Sequence, residues 1–203
     1  MKILLFHPWI KSKGGAEKVI YEYVKRSKNK FIIISWLYIK ETSLPFNNVI
    51  STFPKSFEKI YRSYLLRGAF SLLSSQLKME DDYDLVLIST SGIGELILLR
   101  NNFQVPVVSY VHTPLRASYY LDIIWNLKYR FTNYSVKLVY KVALHLYNKL
   151  EKKVWKKINF AIFNSELSRK RALDKKLIDE NKSKIIYPGV DLENLYYEEP
   201  EDY

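Results

Sequence analysis

Short runs of hydrophobic residues recur along the chain, and polar or helix-like stretches separate them. The runs cover residues 3–6, 30–37, 49–51, 85–89, 106–111, 160–163 and 184–187. Because almost every position in each run is hydrophobic, both faces of the corresponding strand should be buried. Strands of this kind are typical of a parallel sheet that is covered by helices on both sides.

Hydrophobic residues at helical spacing follow most of these runs. The first such set, after residues 3–6, consists of Val19, Ile20, Tyr23 and Val24. Similar patterns cover residues 54–79, 95–99, 115–157 and 167–175. The alternation predicts an α/β fold, a Rossmann-like parallel sheet with helices on both faces, in one domain spanning residues 1–195. The acidic, tyrosine-rich residues 196–203 are predicted to be a tail or the start of an inter-domain linker.

Small, polar or titratable residues follow several of the predicted strands. They are His7 with the loop at Gly14 and Gly15, and residues 89–94, 112–116 and 164–166. In parallel α/β sheets, ligands bind beyond the carboxyl ends of the strands. We therefore expect these groups to meet along one rim of the sheet, where a binding site would form.

Gly14 and Gly15 lie between a predicted strand and a predicted helix. Glycine can take backbone angles that other residues avoid, and it lets a ligand approach the main chain closely. The unpaired amides and the positive dipole end of the following helix favour a phosphate. A plain tight turn explains the same two glycines, since the spacing of a dinucleotide-binding fingerprint is absent. Both interpretations stay open at this point.

Residues after two later strands offer candidate chemistry. His112 could donate a hydrogen bond to a substrate oxygen or transfer a proton, or it could be a core histidine bonded to a carbonyl. Arg116 suits a phosphate or carboxylate, or is simply solvated. Ser165 is a good helix N-cap, which explains Asn164, Ser165 and Glu166, although their position at a strand end also suits ligand contact.

Composition argues against several kinds of site. The chain has no cysteine, and its three histidines are far apart in sequence, so we expect no metal site. Asp82 and Asp84 form a D-x-D pattern, but they precede their strand and therefore should lie at the wrong edge of the sheet for a ligand. No hydrophobic run approaches the roughly 20 residues of a membrane span, and the N-terminal run is too short for a signal peptide. We expect a cytoplasmic protein.

The formal net charge of +11 is concentrated in residues 115–157, where basic and aromatic residues alternate. An amphipathic helix that packs on the sheet and exposes a basic face explains this pattern. The same pattern suits an anionic membrane surface, and in that case we expect a peripheral position on the inner face of the membrane. It would also suit nucleic acid, but a recognised nucleic-acid-binding motif is missing from the sequence, so we do not expect a nucleic-acid partner.

Five short motifs occur in a characteristic order. They are Gly-Gly-Ala-Glu at 14–17, Tyr-Asp-Leu-Val at 83–86, Val-His-Thr-Pro-Leu-Arg at 111–116, Asn-Ser-Glu at 164–166 and Ile-Tyr-Pro-Gly-Val-Asp at 186–191. In this order they resemble the N-terminal domain of retaining glycosyltransferases of family four. The resemblance spans nearly the whole chain and implies one half of a GT-B architecture.

The resemblance also implies roles for the rim residues. The amides of Gly14 and Gly15 would face the donor diphosphate, and His112 would contact the donor sugar or assist at the reacting centre. The acceptor would lie beside Thr113, Arg116, Asn164, Ser165 and Glu166. The implied reaction is a metal-independent, hexosyltransferase-like transfer with retention, which uses a nucleotide-sugar as donor substrate and no further cofactor.

One feature departs from the family pattern. In the family, the segment corresponding to residues 188–191 leads into a second domain that holds most of the nucleotide-sugar, whereas this sequence ends at Tyr203. We therefore expect an acceptor-binding half that needs a C-terminal donor-binding domain or a partner chain. Family acceptors are commonly lipid-linked, in agreement with the basic segment. The alternative is a non-catalytic module that docks on a membrane or a partner.

Overall fold

A seven-stranded parallel sheet forms the centre of the computed structural model, which describes residues 1–54, 56, 77 and 82–189. Its strands are β1 (Lys2–Phe6), β3 (Lys30–Ser35), β5 (Val49–Ser51), β6 (Leu85–Thr90), β7 (Val107–Val111), β8 (Phe160–Phe163) and β9 (Ser183–Ile185). A separate parallel pair consists of β2 (Trp9–Ile10) and β4 (Leu37–Tyr38). The predicted α/β fold with a Rossmann-like sheet is confirmed.

The order of the strands is β5-β3-β1-β6-β7-β8-β9. The chain builds outward from β1 to β5 and then returns to the other side of β1 at β6. The crevice between the carboxyl ends of β1 and β6 is therefore the point where the direction of winding reverses, and ligands bind at such a point in doubly wound sheets.

Both faces of the sheet are covered, as the continuous hydrophobic runs predict. Successive residues of β1 alternate between two hydrophobic clusters. Leu4 and Phe6 belong to one cluster, whereas Ile3 and Leu5 belong to the other, and all four are buried. Since burying an aliphatic side chain contributes roughly 1.5–3 kcal/mol, β1 alone anchors the register of the sheet centre.

Four α-helices surround the described part of the sheet. They are α1 (Gly15–Arg26), α2 (Tyr120–Trp125), α3 (Tyr134–Trp155) and α4 (Glu166–Asp174). Short 3-10 helices cover Gly94–Leu99, Arg116–Ser118 and Glu180–Lys182, and a π-helical turn covers Asn126–Arg130. The helix predicted for 54–79 lies almost wholly outside the described residues, as do the tail at 196–203 and the boundary at 195.

The segment 115–157, expected to be mostly helical, is divided into several pieces. The main break comes before α3, where the side chain of Asn133 accepts a hydrogen bond from the Ser135 amide and caps the new helix. Asn133 keeps extended backbone angles, so it cannot continue the preceding turn. The cap therefore divides the segment into separate helices, although its hydrophobic spacing alone looks continuous.

Asp82 and Asp84 lie at the amino edge of the sheet, as predicted. Asp84 accepts a hydrogen bond from the Lys2 amide, and Asp82 pairs with the Lys2 ammonium. Both acidic residues therefore anchor the start of β1. No helix among the described residues has the length and hydrophobicity needed to span a membrane.

Candidate functional site

Three polar side chains meet at the carboxyl ends of the central strands. His7 follows β1, Ser89 lies near the end of β6, and His112 follows β7. His7 Nδ1 is 3.1 Å from both the carbonyl oxygen and Oγ of Ser89. Ser89 Oγ is in turn 3.0 Å from His112 Nε2. The three residues form a hydrogen-bonded chain across the crevice where the winding reverses.

Backbone hydrogen bonds fix both histidines. The His7 amide donates to the Ile34 carbonyl at 3.0 Å, and the His112 amide donates to the Thr90 carbonyl at 2.9 Å. Each bond extends a parallel ladder by one residue beyond its strand. The His112 ring also packs edge-on against Tyr110, with 5.1 Å between the ring centroids. The site is therefore built on sheet backbone rather than on a long loop.

Both imidazoles are neutral at pH 7. Burial lowers the pKa of His7 to about 3, and the neighbouring His112 lowers it further, while the hydrogen bond to the Ser89 carbonyl opposes both effects. Burial also lowers the pKa of the half-buried His112 to about 4. His112 can thus donate or accept a hydrogen bond, but it does not offer a fixed positive charge to a diphosphate.

The loop after β6 is held tightly beside this cluster. Thr90 Oγ1 accepts hydrogen bonds from the amides of Gly92 and Gly94 and donates to the Glu95 carboxylate at 3.0 Å. Gly92 has φ +118°, and a Cβ there would meet the Leu115 backbone. A residue with a side chain would therefore be strained at this position and would push away the segment that follows His112.

A buried polar layer connects this loop to two helices. The hydroxyl of Tyr147, on α3, lies within hydrogen-bond distance of the Gly92 carbonyl and, at 3.0 Å, of the Glu151 carboxylate, and its single hydrogen is shared between these two acceptors. Glu151 pairs with Lys175, which follows α4. Burial raises the pKa of Glu151, while its bond to Lys175 opposes the rise. The layer ties α3 and the end of α4 to the site loop.

Gly14 and Gly15 lie on a different loop at the same edge of the sheet. Gly14 is the N-cap of α1, with ordinary extended angles, and neither glycine has a positive φ. Neither glycine therefore uses the unusual backbone angles that glycine allows. A Cβ on Gly14 would collide with the carboxylate of the buried Glu17, whereas a Cβ on Gly15 would meet nothing within 4 Å. The open space beside Gly15 leaves room for a ligand.

Glu17 modifies the predicted phosphate site. Its carboxylate lies in the first turn of α1, against Gly14, and accepts a hydrogen bond from Ser12 Oγ at 3.2 Å. A negative side chain in the first turn already interacts favourably with the helix dipole. An anion bound here would therefore approach from the Gly15 side, away from Glu17.

Two of the residues that follow His112 differ in exposure. Thr113 Oγ1 donates to the Pro114 carbonyl at 3.1 Å and is half-buried. Arg116 is 69% exposed and is 3.7 Å from the Asp122 carboxylate. An exposed ion pair of this length contributes little to stability, so the guanidinium can turn toward a ligand.

Asn164, Ser165 and Glu166 begin α4 beside His112. Ser165 is the N-cap, as predicted, because its Oγ accepts from the Ser168 amide at 3.3 Å. Ser168 Oγ donates to the His112 carbonyl at 2.9 Å, which joins the cap to the site. Asn164 is half-buried, whereas Glu166 is exposed. Of the predicted residues, these three and Thr113 lie near His112, and Arg116 extends outward.

The sequence placed Ser89 on the rim, within residues 89–94, but gave it no role, and it did not point to Glu95 or Ser168. A polar residue at the carboxyl end of a hydrophobic strand was the usable signal for Ser89. Among the described residues, the acidic, histidine and cysteine side chains form no group suited to a metal ion. A groove of about 530 Å³ lies by Trp155 and Leu177, where the helices lead into strands, at the edge opposite to His112.

Comparisons with known proteins agree with this fold. The model for glycosyltransferase family 4 matches residues 13–194. HepE of Anabaena, solved in complex with UDP, is 18% identical with a TM-score of 0.50, over 95% of this chain and 45% of that chain. The lipopolysaccharide outer core galactosyltransferase WaaB, in its apo form, is 13% identical with a TM-score of 0.53, over 96% of this chain and 48% of that chain.

A UDP-N-acetylglucosamine 2-epimerase has the same fold, with 10% identity and a TM-score of 0.51, over 91% of this chain and 48% of that chain. At these identities the likeness shows the fold alone. The chain spans less than half the length of each of these solved structures. Comparison with curated protein sequences gave no match.

Proposed function

This chain belongs to glycosyltransferase family 4, and on that basis we propose that it is the acceptor-binding half of a sugar-nucleotide-dependent glycosyltransferase. A C-terminal donor-binding domain or a partner chain completes the enzyme. The reaction is a metal-independent transfer of a hexosyl group to a membrane-associated or lipid-linked acceptor on the cytoplasmic face. The donor substrate is a nucleotide-sugar, and no further cofactor takes part.

The hydrogen-bonded cluster of His7, Ser89 and His112 is the observation that carries this proposal. It places a neutral, half-buried imidazole at the crevice where α/β sheets bind ligands. Such an imidazole suits a hydrogen bond to a sugar hydroxyl close to the reacting carbon. HepE structures contain UDP or UDP-glucose, which supports a uridine diphosphate sugar as the donor here.

The diphosphate of the donor lies beside Gly14 and Gly15 in this proposal. The amino end of α1 offers unpaired amides, and the space next to Gly15 is open. The acceptor lies on the other side of His112, near Thr113, Asn164, Ser165 and Glu166. The exposed guanidinium of Arg116 suits an anionic group on the acceptor, such as a phosphate.

An exposed hydrophobic face on α3 supports a membrane-bound acceptor. Leu138, Val142 and Leu146 follow one another at i, i+4 spacing and are 52%, 52% and 55% exposed. Lys141 and Lys149 form a neighbouring exposed row. A helix with a hydrophobic stripe beside lysines is suited to the interface of an anionic membrane. In this proposal the face holds the site close to lipid-linked substrates.

Calorimetric titration with a panel of UDP- and GDP-sugars tests the donor side of the proposal. We expect binding once the donor-binding domain completes the enzyme, and we expect Gly15→Trp to abolish it, because the indole would occupy the open space beside Gly15. Lys18→Trp, on an exposed position of the same helix turn, is the matched control and should bind normally. Equal binding by both variants would refute the glycine-loop site.

Transfer by the completed enzyme tests the role of His112. His112→Ala should lower the transfer rate by at least a hundredfold, in the range of a positioned acid–base or hydrogen-bonding group. The urea unfolding midpoint reports whether the variant is folded. Unchanged transfer by a folded variant would remove His112 from the reaction.

The exposed face on α3 also supports a second candidate function, a non-catalytic docking module for a membrane. That candidate predicts sedimentation with anionic liposomes but no sugar-nucleotide binding and no transfer in any assembly. The glycosyltransferase proposal predicts all three activities. Nucleotide-sugar binding that depends on Gly15 therefore separates the two candidates.

A further inference from the structure

Ser89 is the central group of the candidate site. The residue is fully buried, and its hydroxyl has a single hydrogen to donate. Within the described residues, that hydroxyl lies within hydrogen-bond distance of two groups, His7 Nδ1 at 3.1 Å and His112 Nε2 at 3.0 Å. The direction of each bond can be deduced by accounting for the hydrogens.

The proton on His7 is located by the Ser89 carbonyl. This oxygen can only accept, and it lies 3.1 Å from His7 Nδ1. If Nδ1 were unprotonated, its lone pair would face a lone pair of the carbonyl oxygen, and the two acceptors would repel each other. His7 Nδ1 therefore carries the hydrogen and donates it toward the carbonyl and Oγ of Ser89 together. Ser89 Oγ cannot donate back to a nitrogen that already holds a proton.

The hydroxyl hydrogen of Ser89 consequently goes to His112 Nε2. If His112 Nε2 carried a proton instead, both imidazoles would donate to Ser89 Oγ. The hydroxyl hydrogen would then have no acceptor among the described residues, which costs roughly 1–3 kcal/mol for a buried donor. His112 Nε2 thus accepts, and the single ring proton of the neutral imidazole sits on Nδ1.

We propose that His7 and Ser89 are positioning residues that hold His112 as the Nδ1–H tautomer, so that the ring offers an N–H donor to a hydroxyl of the sugar substrate. The pKa values of both histidines, lowered to about 3 and about 4 by burial, keep each ring neutral with one N–H near pH 7. The role toward substrate rests on the proposed function, whereas the tautomer does not. The arrangement orients His112 in the manner in which outer groups orient ligating histidines at metal sites.

Long-range proton–nitrogen correlation spectra of the labelled chain test the tautomer directly. The protein contains only His7, His112 and His145, so single substitutions assign every signal. We expect His7 and His112 to be protonated at Nδ1 near pH 7. A His112 ring protonated at Nε2 in the unaltered protein would overturn the proposal without any variant.

Ser89→Ala tests whether the serine holds the tautomer. We expect His112 to move toward the Nε2–H form that free histidine prefers in water, with the exposed His145 as an internal control that does not change. A folded Ser89→Ala protein with His112 still fully Nδ1-protonated would overturn the role of Ser89. Ser89→Cys, a weaker donor of similar size, should give an intermediate mixture and guards against a folding defect in the alanine variant.

Transfer kinetics separate the two parts of the inference. In the completed enzyme, Ser89→Ala should lower kcat about tenfold, the value of one neutral hydrogen bond, with little change in KM. If His112→Ala leaves transfer intact while the spectra show the predicted tautomer, the proposed function fails, but the positioning role of His7 and Ser89 stands. If His112→Ala abolishes transfer but the His112 tautomer is Nε2–H, the positioning role fails and the proposed function stands.

Discussion

Glu95 shows how a single buried carboxyl group can lower the stability of a fold at neutral pH. Its side chain is 3% exposed and accepts hydrogen bonds from Thr90 Oγ1 at 3.0 Å and Ser109 Oγ at 3.4 Å. Burial raises its pKa to about 7, which outweighs these bonds. The folded protein therefore holds a proton on Glu95 at a pH where the unfolded chain has released it. The contribution of this proton to stability is present at low pH and is lost as the pH rises to 7 and above.

Glu95→Gln should stabilise the protein near pH 8. The amide keeps the shape of the carboxyl and can accept from Thr90 while donating to Ser109, but it has no charge to desolvate. We expect a gain of about 1–3 kcal/mol in the free energy of unfolding near pH 8 and less than half of that near pH 5. Urea unfolding at the two pH values measures it. Glu166→Gln, at an exposed position, should show no gain, and an equal gain for both variants would contradict the burial argument.

At the scale of elements, the strands could be predicted because burial on both faces leaves a direct trace in the sequence. The hydrophobic run at 85–89, for example, corresponds to β6 at Leu85–Thr90. The division of 115–157 could not be predicted from hydrophobic spacing, because the break depends on a hydrogen bond made by Asn133. Helix capping by one side chain is a local event that periodicity does not register.

The candidate site could be predicted only where its residues lie just after a strand. His112 and the cap at Ser165 were found in this way. Ser89 ends the hydrophobic run at 85–89, so it was placed on the rim without a role, and Glu95 was missed because it begins a short hydrophobic stretch. Their importance comes from neighbours distant in sequence, such as the 3.0 Å contact between Ser89 and His112. Only the packing of separate strands brings such pairs together.

The exposed stripe on α3 gives a prediction for an element as a whole. Leu138, Val142 and Leu146 are each more than half exposed, so replacing all three with glutamine should change the stability of the fold by less than about 1 kcal/mol. Insertion of the three side chains into a membrane interface should contribute roughly 3 kcal/mol, since each exposes an area worth about 1 kcal/mol. We therefore expect the triple variant to bind anionic liposomes about a hundredfold more weakly in a sedimentation assay.

Control variants distinguish insertion of the α3 stripe into the membrane from a general loss of surface hydrophobicity. Leu167→Gln removes a leucine that is 59% exposed on α4, outside the stripe, and should leave liposome binding unchanged. Lys141→Gln combined with Lys149→Gln should weaken binding at low salt and have little effect at high salt, where charge attraction is screened. Normal binding by the triple variant would exclude α3 as the membrane-binding face.

At the scale of the whole molecule, the two halves of the sheet, β5-β3-β1 and β6-β7-β8-β9, meet at a polar seam inside a mainly hydrophobic sheet. His7, Ser89 and His112 join three adjacent strands across this seam, and the layer of Tyr147, Glu151 and Lys175 joins the helices to the same place. Most other buried positions of the described strands are hydrophobic, with buried polar exceptions such as Ser35 and Ser109. The seam is thus where ligand chemistry is possible and where protonation affects the stability of the entire fold.

Acidification should destabilise the whole domain through its buried imidazoles. The pKa of His7 is lowered from 6.5 to about 3 in the folded protein. Between these pH values, the imidazole of His7 is therefore protonated in the unfolded chain but neutral in the folded protein. Stability is therefore fully present above about pH 6.5 and falls as the pH decreases. From pH 7 to pH 5 this residue should cost about 2 kcal/mol. Glu95 has the opposite sign, so the measurement belongs in a Glu95→Gln background.

In that background, His7→Asn should remove much of the acid-induced loss of stability, because asparagine has no titrating group and its amide can still donate to the Ser89 carbonyl. Urea unfolding midpoints at pH 7 and pH 5 give the loss for each protein. His145→Asn, on the exposed surface of α3, is the matched substitution and should behave like the parent. If the His7→Asn protein loses as much stability as the parent between the two pH values, then protonation of His7 does not contribute to the acid sensitivity of the fold.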